Sequence, residues 1–359
     1  MRISKKSCTA PDSQSSPFFH FSQYFQSFQS LFSGHAARFY ILILLLFIAI
    51  LADLCLGAVP IHLTDLFYQI PAGKITTETR IFLHVRLPRT LAAIFTGSAL
   101  AASGTILQTV LNNNLAGPNI IGINAGAGFF VLLTSALFPN RPAWIPAAAF
   151  LGALSASLLV TFIALKAGTS RITLILSGVA IGSVFSAGSE AIAVLFPDIY
   201  SNSRSFFTGG LSGVTLRQIS QVQIYFIIGF LAALISGRVL DILVLGGELA
   251  RSLGLRVNLA RFSLLIIASL LAGASVSLAG LIGFVGLLVP HLTRYFFGPS
   301  HLELIPASML TGALLVTICD LISRLLVAPY ELPVGILLAF SGGPFFLWVL
   351  LHTRGRLYD

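Results

Sequence analysis

The strongest constraint in this sequence is a series of apolar runs, each near the length of a bilayer crossing, recurring from Phe39 to Leu351 with short interruptions. A helix of about 20 mostly apolar residues spans the hydrocarbon core, where every backbone N–H and C=O must be satisfied internally. With 56% apolar and 9% charged residues among 359, the chain has room for roughly ten such helices. Soluble globular chains carry about a quarter charged residues. An ordinary soluble enzyme and a single-span receptor are therefore excluded, and the fold class is an all-α polytopic membrane protein.

The expected spans are 39–59, 90–111, 120–138, 144–165, 172–196, 219–237, 262–281, 282–297, 304–326 and 332–351. Ten helices put both termini on one side of the membrane. The pair within 262–297 is joined by a very short connection at 280–283, so nine is the competing count. Residues 1–38 form a Ser/Gln/Phe-rich segment without the apolar stretch and cleavage site of a signal peptide, expected as a poorly ordered cytoplasmic tail. The membrane domain is expected over 39–352 and a second cytoplasmic tail over 353–359.

The net charge of +9 is spread one or two residues per connection, a pattern of membrane orientation and not of nucleic-acid binding. With the N-terminus inside, thirteen of the 21 basic residues fall on cytoplasmic stretches, a weak bias for that orientation. Cys8, Cys55 and Cys319 are too dispersed for a disulfide framework or a zinc site. No G-x-x-x-x-G-K-[ST] phosphate loop occurs, so any ATP hydrolysis belongs to a partner chain. Small residues crowd 97–104, 122–128, 178–188 and 272–286, which places the second, third, fifth, seventh and eighth helices centrally. The Leu/Phe-rich first and sixth are left nearer lipid.

Three motifs then carry a resemblance. Arg86-Leu-Pro-Arg89 precedes a Gly-Ser-Ala-Leu-Ala run. Leu115-Ala-Gly-Pro118 is followed by Gly122-Ile-Asn-Ala-Gly126, and Gly280-Leu-Ile-Gly-Phe-Val-Gly-Leu-Leu-Val-Pro290-His291 comes later. In order and separation these resemble the FecCD-type, BtuC-like permease family of ABC importers for ferric siderophores, haem and cobalamin, over about residues 40–352. The resemblance implies a multi-pass cell-membrane permease of ten helices, paired with a second copy or a paralogue. It also implies two ATPase subunits that bind ATP and Mg, and an external or periplasmic binding protein. No reaction and no cofactor are expected on this chain, with a ferric siderophore as cargo and cobalamin or haem as alternatives.

Site residues follow from both readings. The polar stretch 245–256 is too short to span and suits a helix lying on the cytoplasmic face. The family places its coupling helix here, which carries over Glu248, Ala250, Arg251, Leu253 and Gly254. On the opposite face Arg86, Arg89 and Arg324 could offer guanidinium forks to the carboxylates of a docking protein, as the family implies, at about 0.2 to 1 kcal/mol per exposed pair. The bland alternative is interfacial anchoring, with Arg324 paired to Asp320 one turn earlier. Asn113, Asn114 and Leu115, with Thr169 and Ser170, fall where the family narrows its cytoplasmic gate, although the family's usual proline is Asn114 here. Turn and cap roles compete for these positions.

Among the intramembrane ionisable residues Glu190 lacks a neighbour of opposite sign in sequence, so it either lines the pathway or pairs with another helix. His291 is expected to be packed, and no metal cluster is expected. The ionisable residues argue against two other classes. A secondary transporter needs intramembrane carboxylates working as a relay, and Asp53, Glu190 and Asp320 are too dispersed for that. An intramembrane enzyme needs clustered catalytic groups, which are absent from the sequence.

Overall fold

The computed structural model describes residues 34–57, 76–166, 171–327 and 330–353. The chain divides into two compact units, Met1–Ile41, of which 34–41 are described, and Leu42–Asp359. The described residues are almost wholly helical, with no strand among them. The helices are α1 (His35–Cys55), α2 (Thr77–Val110), α3 (Ile123–Leu137), α4 (Ile145–Lys166), α5 (Arg171–Leu195), α6 (Pro197–Asn202) and α7 (Arg204–Thr208). They continue as α8 (Leu216–Ile235), α9 (Gly237–Val244), α10 (Gly247–Ser252), α11 (Val257–Ala279), α12 (Val285–Phe297), α13 (His301–Leu325) and α14 (Val334–Thr353). Seven are long and apolar enough to cross a membrane: α1, α2, α4, α5, α8, α11 and α13. With α3, α12 and α14, each expected span has a helix, and helix α1 starts at His35, inside the stretch read as tail.

Helix α2 is the axis of the second unit, packed by α13, α11, α12 and α8. Lipid supplies no hydrophobic drive between helices, so close backbone approach must hold them together. Glycines provide it at two crossings. A Cβ at Gly97 would lie 2.2 Å from the Gly312 carbonyl oxygen of α13, and one at Gly104 would lie 1.8 Å from that of Gly286 in α12.

The start of α2 departs from expectation. The span is expected from residue 90, yet the helix begins at Thr77 behind a Thr76 cap. Pro88 has no N–H to give the preceding turn. The backbone accommodates it through a π-helical turn over Phe82–Arg86, and helix continues on both sides. Arg86 and Arg89 are therefore inside a helix and not in the connection before it.

The short connection after α11 also has a clear cause. Gly280 adopts φ +68°, and a Cβ there would come within 2.4 Å of the Phe206 carbonyl. The next N–H, of Leu281, donates to that same carbonyl at 2.9 Å, and Gly210 N–H donates to Ala279 O at 2.8 Å. The non-helical residues 280–284 then lead into α12, so the two spans are distinct helices.

Expectation and structure differ for α5. Its small-residue face placed it centrally, but only 17% of its best apolar window is enclosed, against 83% for α2. Gly178 and Gly188 do pack, against Ile120 and Phe129, while Val179, Val184, Val194 and Leu195 remain exposed.

Candidate functional site

Three regions of the second unit gather the residues singled out in the sequence. At the N-terminal end of α2, three arginines meet three carboxylates. Arg89 Nε donates to both oxygens of Asp320 at 2.9 Å, and its Nη1 donates to Glu331 Oε2 at 2.7 Å. Arg324 donates to the Asp53 carboxylate and, at 2.9 Å, to the Asp53 backbone carbonyl. Asp53 also accepts from the Thr90 hydroxyl. Arg86 Nη1 donates to Leu54 O at 2.7 Å. All three arginines are buried, as are Asp53 and Asp320. The local charges balance, which is the condition for burying them at all.

Arg86, Arg89 and Arg324, expected at a docking face, thus each have an internal partner in this structure. The acids come from α1 (Asp53), from α13 (Asp320) and from the residues after α13 (Glu331). The Arg324–Asp320 pair expected from spacing is the weaker contact, at 3.4 Å, because Asp320 is already bidentate to Arg89. Glu331 is the half-exposed member. Burial pushes its carboxyl up, but the hydrogen bond and charge of Arg89 outweigh that and hold it below its ordinary value.

About 30 Å along α2, at about 1.5 Å per residue, Gln108 and Thr109 define the other end. Gln108 donates to the carbonyls of Gly286 and Leu287, and its own carbonyl oxygen accepts from Arg294 of α12. Arg294 also reaches the Asn114 side-chain oxygen at 3.3 Å. Asn113 accepts from Leu115 N–H at 2.9 Å, so the connection 111–117 is tied to both α2 and α12. Leu115 is exposed. Thr169 and Ser170 lie outside the described residues. Sequence reasoning missed Gln108 and Arg294 as partners of this segment. Their separation of 186 positions gives no local signal.

From the same end, Thr109 contacts His301, which bonds Asp241 of α9 at 2.7 Å. Helix α10 follows. Gly254, at φ +86°, closes it: Leu255 N–H donates to Ala250 O and Gly254 N–H to Arg251 O, the double bond of a Schellman cap. Ala250 is buried and fixes the helix to the body, whereas Glu248, Arg251, Leu253 and Gly254 are exposed. Leu249 and Leu253, one turn apart on α10 and its cap, are 59% and 62% exposed and make a short apolar ridge on a polar segment; Leu245, before the break at Gly246 (φ +102°), is exposed as well. Leu249 was not singled out from the sequence, though the i, i+4 spacing contained it.

The third region is a cleft of about 910 Å3 walled by α5, the segment Asn119–Gly122, α3, Tyr200 and Phe207. Glu190 lies in its wall with Ser183, Ser186 and Ser189 of the same helix. It is exposed, and no ion pair joins it to another described residue. His291 packs edge-on against Phe345. Among the described residues no group of three His, Cys, Asp or Glu side chains could hold a metal.

A bundle of helices long and apolar enough to cross a membrane, with a cleft of small and polar residues in one wall, has the architecture that suits a membrane transport subunit. The comparisons make it specific: residues 44–352 match the model of the FecCD transport family. The chain belongs to that family. It is 36% identical, over 86% of its length and 94% of the relative's, to the Fe(3+)-citrate import system permease protein YfmE of Bacillus subtilis (strain 168). It is also 36% identical to the ferric enterobactin transport system permease protein FepD of Escherichia coli (strain K12), covering 88% and 95%. Identity to the vitamin B12 import system permease protein BtuC of Vibrio cholerae is 39%, covering 77% and 84%. A solved metal-chelate type ABC transporter in an inward-facing conformation superposes with a TM-score of 0.77 at 26% identity, covering 87% of this chain and 98% of that one.

Proposed function

We propose that this chain is the permease subunit of an ATP-driven importer of a ferric siderophore. It forms the pathway in a pair with a second copy or a paralogue, and it carries no catalysis and no cofactor of its own. ATP and Mg belong to ATPase subunits docked on the α10 end, and a substrate-binding protein delivers cargo at the arginine end. Both termini are then cytoplasmic, and lipid surrounds the bundle. Cobalamin or haem is the alternative cargo, since relatives named for B12 and hemin import match at similar identity.

The observation that carries this reading is the short exposed ridge of Leu249 and Leu253 on α10, beside the exposed Glu248 and Arg251. An apolar ridge on a short capped helix fits a hydrophobic groove on another protein. It would pass the partner's motion through α9 and the Asp241–His301–Thr109 chain to α2, next to the gate formed by Asn113, Asn114, Leu115, Thr169 and Ser170. Glu190 lines the path. The arginines act at the docking end by setting its shape and charge, and Glu331 is the member a partner's acid could replace.

The test is Leu249→Glu. A charge on the ridge should leave the permease in the membrane but abolish co-purification of the ATPase and ATP-dependent uptake. Gly254→Trp should do the same with some additional strain, because its φ is positive. Unchanged ATPase association and uptake in Leu249→Glu would overturn the proposal.

A further inference from the structure

The relatives do not decide the cargo's charge, because permeases named for ferric citrate, enterobactin, hemin and B12 stand within 34–39% identity of this chain. The cleft does bear on it. Apart from Tyr200, its walls hold one ionisable side chain, Glu190, among amides, hydroxyls and apolar groups. Asn119 and Asn124 also line it, Ser186 and Ser183 stand one and two turns before Glu190 on α5, and no cationic side chain is among the described lining residues. Ser183 and Ser189 turn their hydroxyls back to the carbonyls of Val179 and Phe185, so their donors are used within the helix. The wall therefore offers a passing solute a carboxylate with no cation beside it among the described lining residues.

We propose that Glu190 makes this pathway select by charge, admitting neutral or cationic ferric chelates of the hydroxamate class and disfavouring polyanionic carboxylate or catecholate chelates. The argument is electrostatic. A carboxylate in a cleft walled by low-dielectric helix acts on a solute more strongly than one on an open surface. A polyanionic chelate meets that repulsion as it passes Glu190, and a second copy of the chain would add another carboxylate. A hydroxamate complex, neutral or carrying a protonated amine, meets none, and the amide and hydroxyl groups supply weak, non-trapping contacts. The inference rests on the import reading above, and its test separates the two.

The probe is a cysteine one turn from Glu190, Ser186→Cys, in a background with Cys8, Cys55 and Cys319 replaced, using the complex isolated with its partners. Labelling rates with a cationic and an anionic methanethiosulfonate are compared with Glu190 intact and as Glu190→Gln. Side chains one turn apart are about 6 Å from each other, so the cation-to-anion rate ratio should fall between about threefold and tenfold on removing the charge, depending on salt screening. An unchanged ratio would overturn the proposal.

A transport arm follows in vesicles, with ATP inside and the binding protein outside. The wild-type complex should take up a cationic ferric hydroxamate in preference to a ferric tricatecholate, and Glu190→Gln should narrow the preference. Equal uptake of both by wild type, or a preference unmoved by the substitution, would contradict the charge filter. Failure of ATP-driven uptake for every ferric chelate, cobalamin and haem would instead sink the import reading, and the labelling ratio would still decide the electrostatics of the cleft.

Discussion

Helices α2 and α5 are built from similar residues and do opposite things. Both carry runs of Gly, Ser and Ala, at 97–104 and 178–188. In α2 these glycines meet glycines of α13 and α12 at backbone contact, and the helix is almost fully enclosed. In α5 the glycines touch neighbours on one side, while the serines and Glu190 face a cleft. The carboxylates divide in the same way. Asp320, held by Arg89 of α2, is buried and paired, and Glu190 of α5 is exposed and has no ion-pair partner among the described residues. Small residues alone therefore do not separate packing from pathway. What separates them is whether a second backbone lies against the small face.

The largest test of this contrast is a pair of carboxylate removals. Asp320→Asn leaves Arg89 and Arg324 buried with one acid fewer and should destabilise the detergent-solubilised protein by about 3–5 kcal/mol. Glu190→Gln should cost no more than about 0.5 kcal/mol. Equal shifts in thermal unfolding would erase the distinction. Next are the glycines. Gly104→Leu drives a side chain into the Gly286 backbone and should lose about 1–3 kcal/mol or more, seen as low recovery of folded protein. Gly182→Leu, whose Cβ would find only the Gly122 Cα at 4.0 Å, should fold normally and slow uptake several-fold by narrowing the cleft. A folding defect there would show that α5 is packed after all.

The smallest effect concerns Glu331. Its carboxyl titrates below the ordinary value near 4.5, so its contribution to stability is complete above that pH and is lost as pH falls through the folded-state value. Because Glu331 is half exposed, the contribution should stay under about 1 kcal/mol. Glu331→Gln should therefore lower the unfolding temperature slightly at pH 7, and the difference should shrink toward pH 4. A difference that grows with acidification would mean that Glu331 is not paired as described.

Much of this was legible in the chain. Hydrophobic run length located a helix for each of the ten spans, and the polar stretch at 245–256 with its glycine announced α10 and its cap. The start of α2 was not legible: the apolar run begins at residue 90, and nothing in the sequence shows that helix continues back through Pro88 and a π turn to Thr77. The fate of the arginines was hidden for another reason. Arg89 finds Asp320 and Glu331 at separations of 231 and 242 residues, and Arg324 finds Asp53 at 271. Spacing along one helix offered Arg324 only Asp320, and that acid is taken. The exposure of α5 was hidden because a small-residue face looks the same whether a helix or an open cleft lies against it.

The central claim is that uphill movement through this permease is driven by partner ATPases and not by the chain itself. The direct measurement is solute accumulation in vesicles containing either the purified chain or its complex with the ATPase and binding protein. With ATP, the complex should concentrate a ferric chelate, and the chain alone should accumulate none under any proton or sodium gradient. Accumulation by the isolated chain from an ion gradient would contradict the claim.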